Sequence, residues 1–203
     1  MKSRLIIVLL MAGLVFPANA ANVVKSYSYF TIGGTTLDEI QDQLDRRGPK
    51  VKTTGRRHPG ATQMEFTSRI GYAGGANGCS IAKATVTVKA KVILPRWTRP
   101  KRADGDVRLV WDTLASDIKR HEESHVLIAK SHARDLELAL LKSGRQKDCK
   151  AAQARAAEIT QKILARHDRA QAEFDDVEGR NFESRILRLL RYRLQKIASG
   201  QPG

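Results

Sequence analysis

Three stretches in the first half of the chain alternate polar and apolar residues, as half-buried β-strands do. They run over Val23–Ile32, Gln63–Ile70 and Ile81–Leu94 and are rich in β-branched residues. Between the first two, residues 35–40 offer hydroxyl groups that can cap a short amphipathic helix, which Gly48 and Pro49 would end. The pattern predicts a small N-terminal antiparallel sheet with one short helix.

After Trp97 the spacing of apolar residues becomes that of helices. Segments 107–142, 148–174 and 180–198 repeat apolar side chains every three or four positions. The stripe on the first segment mixes apolar residues with three histidines: Val107, Trp111, Leu114, Ile118, His121, His125, Ile128 and His132. Such a stripe faces the core. We therefore expect an α+β fold, with residues 21–97 mainly β and residues 107–198 forming a C-terminal layer of three helices.

The first twenty residues have the pattern of a secretory signal peptide. Lys2 and Arg4 precede an apolar run over Leu5–Val15, and the small residues Ala18-Asn19-Ala20 follow. The run is shorter than the roughly 20 apolar residues that span a bilayer. We expect cleavage near Ala20/Ala21, a single domain over residues 21–203, and a periplasmic or secreted protein that is not integral to the membrane.

Export bears on the two cysteines, Cys79 and Cys149. In an oxidising compartment, a lone pair of cysteines is more typical of one disulfide than of two free thiols. In the chain-entropy model, closing this loop stabilises the fold by roughly 4 kcal/mol. We therefore expect a Cys79–Cys149 bridge between the two halves of the chain.

The candidate chemistry lies in the H-E-x-x-H motif formed by His121, Glu122 and His125. Two histidines four positions apart on a helix project from successive turns of one face, so both rings can bind one Zn²⁺. Zinc lowers the pKa of a bound water to about 7, and Glu122 can act as the general base towards that water. The motif predicts a zinc metallopeptidase. The alternative is that the histidines are hydrogen-bonded members of a core-facing stripe.

A catalytic zinc usually has a third protein ligand. His132 cannot share the ion, because it lies seven residues beyond His125, about 10 Å along a helix. The next predicted helix and the turn after it offer His167-Asp168, Phe174-Asp175-Asp176 and Val177-Glu178-Gly179. We expect Glu178 to be the third ligand, with His167 as the alternative. For either residue, an ordinary surface or capping role is the other interpretation.

Several motifs in order along the chain resemble the DUF922 family of bacterial secreted proteins, which are described as predicted zinc-dependent proteases. The resembling segments are Tyr29-Phe30 with residues 31–36, residues 46–49, the glycine-rich approach to Cys79, Leu94–Trp97, Trp111, the H-E-x-x-H motif and Cys149. Family members commonly continue with a Tyr-Asp segment and a His-Gly pair, whereas this chain has Phe174-Asp175 and Glu178-Gly179. The resemblance implies the same fold and a zinc site over nearly the whole mature chain.

Composition supports a second function of another class. A hydrophobic fraction of 41% can build a core, which excludes disorder and collagen-like repeats. The formal net charge is +15, and basic residues decorate the last predicted helix. The protein could thus be a non-catalytic basic envelope protein that binds anionic polymers or an acidic protein partner, with an anionic envelope surface as a candidate contact. Nucleic acid is excluded as a partner, because the chain is expected to be exported, has 5% aromatics and carries no recognisable nucleic-acid-binding motif.

Overall fold

The computed structural model describes residues 22–51, 55–98 and 103–200 of the 203-residue chain. The expected signal peptide, residues 1–20, lies outside the described residues, so export stays a prediction. The described segments contain three strands and four helices. In chain order these are β1 Asn22–Ile32, α1 Leu37–Arg47, β2 Ala61–Gly75, β3 Gly78–Trp97, α2 Gly105–Leu141, α3 Cys149–Arg180 and α4 Phe182–Ala198. The α+β fold, the short helix and the three C-terminal helices agree with the prediction.

The sheet is mixed, so the expectation of an antiparallel sheet was wrong for one strand pair. Its order is β1-β3-β2. β2 pairs with β3 in antiparallel fashion, whereas β1 pairs with β3 in parallel, from Asn22↔Thr87 to Ile32↔Trp97. β1 and β3 run in the same direction, and β2 runs in the opposite one. Because β3 lies between β1 and β2 in the sheet, it has one parallel and one antiparallel neighbour. The period of apolar residues gives no information about this order.

One face of the sheet packs on the helices. Along β3, buried residues alternate with exposed ones, and Val86, Val88, Ala90, Val92 and Leu94 are buried. Val86 and Val88 pack with Ala129, Ala133, Leu136 and Leu140 of α2 and with Ala156, Ile159 and Ile163 of α3. Ala90, Val92 and Leu94 pack with Ile118 and Val126 of α2. The alanines allow close approach of helix and sheet. α2 thus runs through the centre of the molecule, which places its inward-facing histidines at the α2–α3 contact.

α1 begins at a capping box. The Thr36 hydroxyl accepts a hydrogen bond from the Glu39 backbone N–H, and the Glu39 carboxylate accepts one from the Thr36 backbone N–H. Ile40 and Leu44 of α1 pack with Trp97 and Trp111 in a second apolar cluster. This cluster fixes α1 beside the first turns of α2.

The expected disulfide is confirmed. Cys79 and Cys149 form a bond with an S–S distance of 2.11 Å. Backbone hydrogen bonds join Cys79 and Gln146 in both directions, at 2.9 and 2.7 Å. Together they fasten the start of β3 to the start of α3.

None of the helices in the described part of the chain has the length and apolar character needed to cross a membrane.

Candidate metal centre

The two histidines of the H-E-x-x-H motif face each other on α2. Their Nε2 atoms are 3.1 Å apart, and the rings are nearly perpendicular, at 85°. At this distance one ring can donate a hydrogen bond to the other, or both nitrogens can face one shared cation. The spacing therefore fits both the hydrogen-bonded pair and the metal site that the sequence suggests.

Asp175 of α3 provides a third donor atom. Its Oδ1 lies 3.2 Å from Nε2 of His121 and 3.0 Å from Nε2 of His125. The three side chains form a group that could hold a metal ion, with all ligand atoms within 4.8 Å of one another. Phe174 packs beside both imidazoles, with ring centroids at 5.0 and 5.2 Å.

The three donor types are ones that zinc binds in proteins. His121, His125 and Asp175 would supply two imidazole nitrogens and one carboxylate oxygen, with donor atoms 3.0 to 3.2 Å apart. Catalytic zinc sites commonly have three protein ligands, whereas structural sites have four.

Gln171 fixes the tautomer of His125. The Gln171 side-chain Nε2 donates to the His125 backbone oxygen at 3.1 Å, and that oxygen can only accept. The amide oxygen of Gln171 must therefore be the atom 2.6 Å from His125 Nδ1, which carries the proton. In the neutral form of His125, Nε2 is then the unprotonated nitrogen, and it faces the site. A metal-binding histidine commonly has such a partner at its other nitrogen.

Glu178, which the sequence favoured as third ligand, lies on the other side of His121. Its Oε2 is 3.6 Å from His121 Nδ1, the nitrogen that faces away from the site. The same carboxylate is bonded to Arg120 and lies 3.3 Å from Arg185. This places Glu178 in position to orient His121, while Asp175 has the better position for a ligand.

His167, the alternative ligand, is buried in a different environment. Its Nδ1 is 3.0 Å from Asp168 and its Nε2 is 2.8 Å from the Gln171 amide nitrogen. Its ring packs against Phe66 and His132. The structure therefore brings together His121, His125 and Asp175, and it connects His167 to that group only through Gln171.

Glu122 is a buried carboxylate beside the three donors. Its side chain accepts a hydrogen bond from the Thr62 hydroxyl at 2.8 Å through Oε2. A Cβ atom at Gly60 would lie 2.8 Å from Oε1, so the loop before β2 approaches this carboxylate closely. Burial raises the pKa of Glu122, against the lowering effects of Thr62 and the two histidines. A raised pKa brings a carboxylate closer to the range of an effective general base.

Interactions within the group of His121, His125 and Asp175 shift the pKa values of Asp175 and His125. Burial acts to raise the pKa of Asp175, but hydrogen bonds and charge from His121 and His125 outweigh it and hold that pKa far below the usual value. Burial likewise acts to lower the pKa of His125, and the bonds with Asp175 and Gln171 outweigh it, so the pKa is raised. Imidazole binds a metal ion only in its unprotonated form, so protons and a metal ion would compete for these nitrogens.

Asp175 was included in the candidate segment from the sequence but not selected from it. One further signal was available: Gln171, Asp175 and Glu178 follow each other at spacings of four and three, which is one helical face. That face of α3 meets the face of α2 that carries His121 and His125. Only the relative position of the two helices decides which of the three side chains reaches both rings.

Comparison with protein families gives a match. A family model described as "Bacterial protein of unknown function (DUF922)" matches residues 27–182. No curated protein and no solved structure matches the chain.

Proposed function

Since the chain belongs to the DUF922 family, whose function is not established, we propose from the site itself that the protein is an exported zinc-dependent metallopeptidase. The observation that carries the proposal is the triangle of His121, His125 and Asp175 donors, with the buried carboxylate of Glu122 next to it. A structural zinc site is typically closed by four protein ligands, whereas this group offers three.

The ligand types favour a transition metal such as zinc over magnesium or calcium. Imidazole nitrogen suits zinc, copper, iron and nickel, whereas magnesium and calcium prefer oxygen donors. When bound, zinc supplies a Lewis acid that lowers the pKa of a coordinated water to about 7 and polarises a carbonyl group.

Side chains of the protein would orient the ligands and transfer the proton. Gln171 keeps His125 in the tautomer that points a lone pair into the site. Thr62 holds Oε2 of Glu122, which leaves Oε1 to accept a proton from the attacking water. Glu122 then gives this proton to the leaving amine of the cleaved peptide bond.

The test separates metal binding from turnover. Glu122→Gln should bind one zinc ion and lose peptide hydrolysis by about 100-fold or more, because it removes the general base and no ligand. Glu123→Gln is the matched control, since Glu123 is the next residue and contacts Lys25 and Tyr27 outside the site. Zinc content and peptide cleavage are measured for both. Normal cleavage by zinc-loaded Glu122→Gln would refute the proposal.

The third ligand is tested in the same assays. Asp175→Ala should lose zinc, whereas Glu178→Gln should retain it with weaker affinity, because Glu178 lies at the outer nitrogen of His121. The reverse result would restore Glu178 as the ligand.

A second candidate function rests on α4. The helix has no buried residue, and Leu187, Leu194 and Ile197 are about half exposed. Besides Arg185, which pairs with Asp117, its basic residues are Arg188, Arg191, Arg193 and Lys196. These features suit a basic envelope protein that binds anionic polymers or an acidic protein partner. Such binding should weaken steeply with salt and be insensitive to a chelator, whereas peptidase activity should be lost with a chelator and return with zinc.

A further inference from the structure

A cavity beside the candidate metal centre is formed where four segments meet. It has a volume of about 330 Å³. Residues 58–60 before β2, α2, the end of α3 and the start of α4 line it. His121, Glu122 and Asp175 belong to its lining, so a group held in the cavity lies next to the site. A second cleft of about 170 Å³ shares His121, Glu122 and Asp175 with it.

The apolar part of the lining comes from three of these segments. Pro59 lies in the loop, Ile118 is buried on α2, and Phe182 is the half-exposed first residue of α4. An apolar cavity of about 150 Å³ in another protein is already large enough for benzene. The cavity beside the site is thus large enough for a leucine or phenylalanine side chain.

The carboxylate and guanidinium groups of the lining beyond the metal centre already have partners. Arg185, with 12% of its side chain exposed, donates through Nε and Nη2 to Asp117 at 3.0 and 3.1 Å. Its Nη1 donates to the Glu178 backbone oxygen at 3.3 Å. Asp117 is 4% exposed and also accepts from Arg120, and Glu178 is bonded to Arg120.

This pairing determines what the cavity can accept. A charged side chain that entered would lose its hydration and find the opposite charges already bonded, which is unfavourable. An apolar side chain loses nothing and gains burial against Ile118 and Phe182. Resting on the proposed peptidase function, we propose that this cavity binds a large apolar side chain of the substrate, next to the scissile bond, so that the enzyme cleaves peptides at leucine, methionine or phenylalanine.

Gly179 offers a direct test, because it lines the cavity and a Cβ atom there would meet nothing within 4 Å. It lies in α3 with no positive φ, so the helix accepts a larger residue. Gly179→Leu should reduce the space in the cavity. Gly105→Leu is the matched control. Gly105 is the first residue of α2, a Cβ atom there would also meet nothing within 4 Å, and the residue does not line the cavity.

The experiment uses the zinc-loaded mature chain and a blocked peptide that varies at one position among Leu, Phe, Ala, Lys and Glu. We expect kcat/KM for the Leu and Phe peptides to exceed kcat/KM for the Ala peptide by about 10- to 100-fold, and to exceed kcat/KM for the Lys and Glu peptides by at least as much. In Gly179→Leu, the ratio of kcat/KM for Leu to that for Ala should fall at least about 10-fold with zinc content unchanged. In Gly105→Leu, the same ratio should remain as in the wild type. Equal rates for Leu and Ala, a preference for Lys or Glu, or an unchanged ratio in Gly179→Leu would overturn the proposal.

Binding to zinc-loaded Glu122→Gln separates this proposal from the peptidase proposal. If the wild type cleaves no peptide but the variant binds Leu and Phe peptides about 10-fold more tightly than the Ala peptide, the cavity inference holds and the proposed function fails. Equal affinities would overturn the cavity inference itself. Phe182→Ala removes one apolar wall of the cavity and should weaken the binding of Leu and Phe peptides. It replaces Gly179→Leu as the test if that variant does not fold.

Discussion

Gln171 is a single side chain that connects three parts of the site. It accepts from His125 Nδ1, donates to the His125 backbone oxygen and meets Nε2 of His167. Because its amide nitrogen is the donor to His167, the proton of His167 lies on Nδ1, towards Asp168. One residue outside the ligand group thus sets the protonation pattern of two histidines.

Removing this amide should weaken metal binding without removing a ligand. Gln171→Leu is expected to reduce zinc affinity by about 10- to 100-fold, because the His125 ring loses the partner that fixes its tautomer. Competition with a chromophoric chelator measures the affinity. Gln161→Leu changes an exposed glutamine of the same helix and should have no effect. Equal zinc affinity in Gln171→Leu and the wild type would show that His125 needs no such partner.

The residues of the site differ in how far the sequence could predict them. His121, Glu122 and His125 are local to one helix, so their spacing alone indicates a shared function. Asp175 and Glu178 are less than one turn apart on α3, and both are acidic. Which of them reaches the imidazoles depends on how α3 crosses α2, a tertiary feature that no local pattern specifies.

At the scale of elements, an ion pair with little exposure to solvent links α4 to α2. Arg185 of α4 bonds the carboxylate of Asp117 on α2, and Arg120 bonds it as well. Burial acts to raise the pKa of Asp117, but the hydrogen bonds and charges of Arg185 and Arg120 outweigh it, so its pKa lies below the ordinary 3.8. The ionised form therefore stabilises the folded state.

The pH dependence of this pair has a definite sign. Asp117→Asn should lower the free energy of unfolding by about 2 kcal/mol at neutral pH, because Arg185 and Arg120 then lose one of the two carboxylates that they share. Since the folded pKa is depressed, the wild-type advantage should be complete above pH 3.8 and disappear as the pH falls through the lower folded value. Urea unfolding at several pH values measures it.

Asp42→Asn provides the control for that series. Asp42 pairs with Arg46 on α1, and both side chains are about two-thirds exposed. The expected change is below about 0.5 kcal/mol. An Asp117→Asn effect as small as this one would mean that the buried pair does not hold α4.

The disulfide is a second link between elements, and its contribution can be measured. Replacing Cys79 and Cys149 together by Ala should lower the free energy of unfolding by about 4 kcal/mol, because the unfolded chain loses a loop constraint. Urea unfolding measures the loss. A reducing agent should lower the stability of the wild type to that of the double variant and leave the variant unchanged. No difference between the two proteins would show that the bond adds no net stability.

The elements themselves were more predictable than their arrangement. The apolar stripe over residues 107–132 predicted α2 because a helix repeats every 3.6 residues and the core needs a continuous face. The second helical segment was expected to end at Phe174, but α3 continues to Arg180. Gly179 does not end it, so Glu178 lies on the helix rather than in a turn. The order of the strands in the sheet could not be predicted, because β1 and β2 alternate polar and apolar residues whichever strand they pair with.

On the scale of the whole molecule, a metal ion at this site would join α2 to α3 near the end of α3 remote from the disulfide. Zinc at about 100 times its Kd should stabilise the fold by about 2.7 kcal/mol, since it binds the folded chain alone. For a chain of this length, the thermal midpoint should rise by about 5 to 10 °C. Thermal unfolding with zinc, with a chelator and with magnesium measures the effect.

Magnesium is the control ion, because it prefers oxygen ligands and should cause no rise. Asp175→Ala should remove the response to zinc. A zinc response that survives in Asp175→Ala, or an equal response to magnesium, would mean that binding occurs elsewhere on the chain.

The parallel pairing of β1 with β3 affects the order in which the chain can fold. Each residue of β1 pairs with one that comes 65 positions later, from Asn22 with Thr87 onwards. Pairs so distant along the chain form slowly, because closing the intervening loop loses entropy before the contacts compensate. A ribosome delivers the N-terminal strand first, yet that strand has no neighbour to pair with until nearly half of the polypeptide has been synthesised. Although β1 precedes every other described element, its pairing is therefore complete only after β3, the last strand of the sheet, has been synthesised.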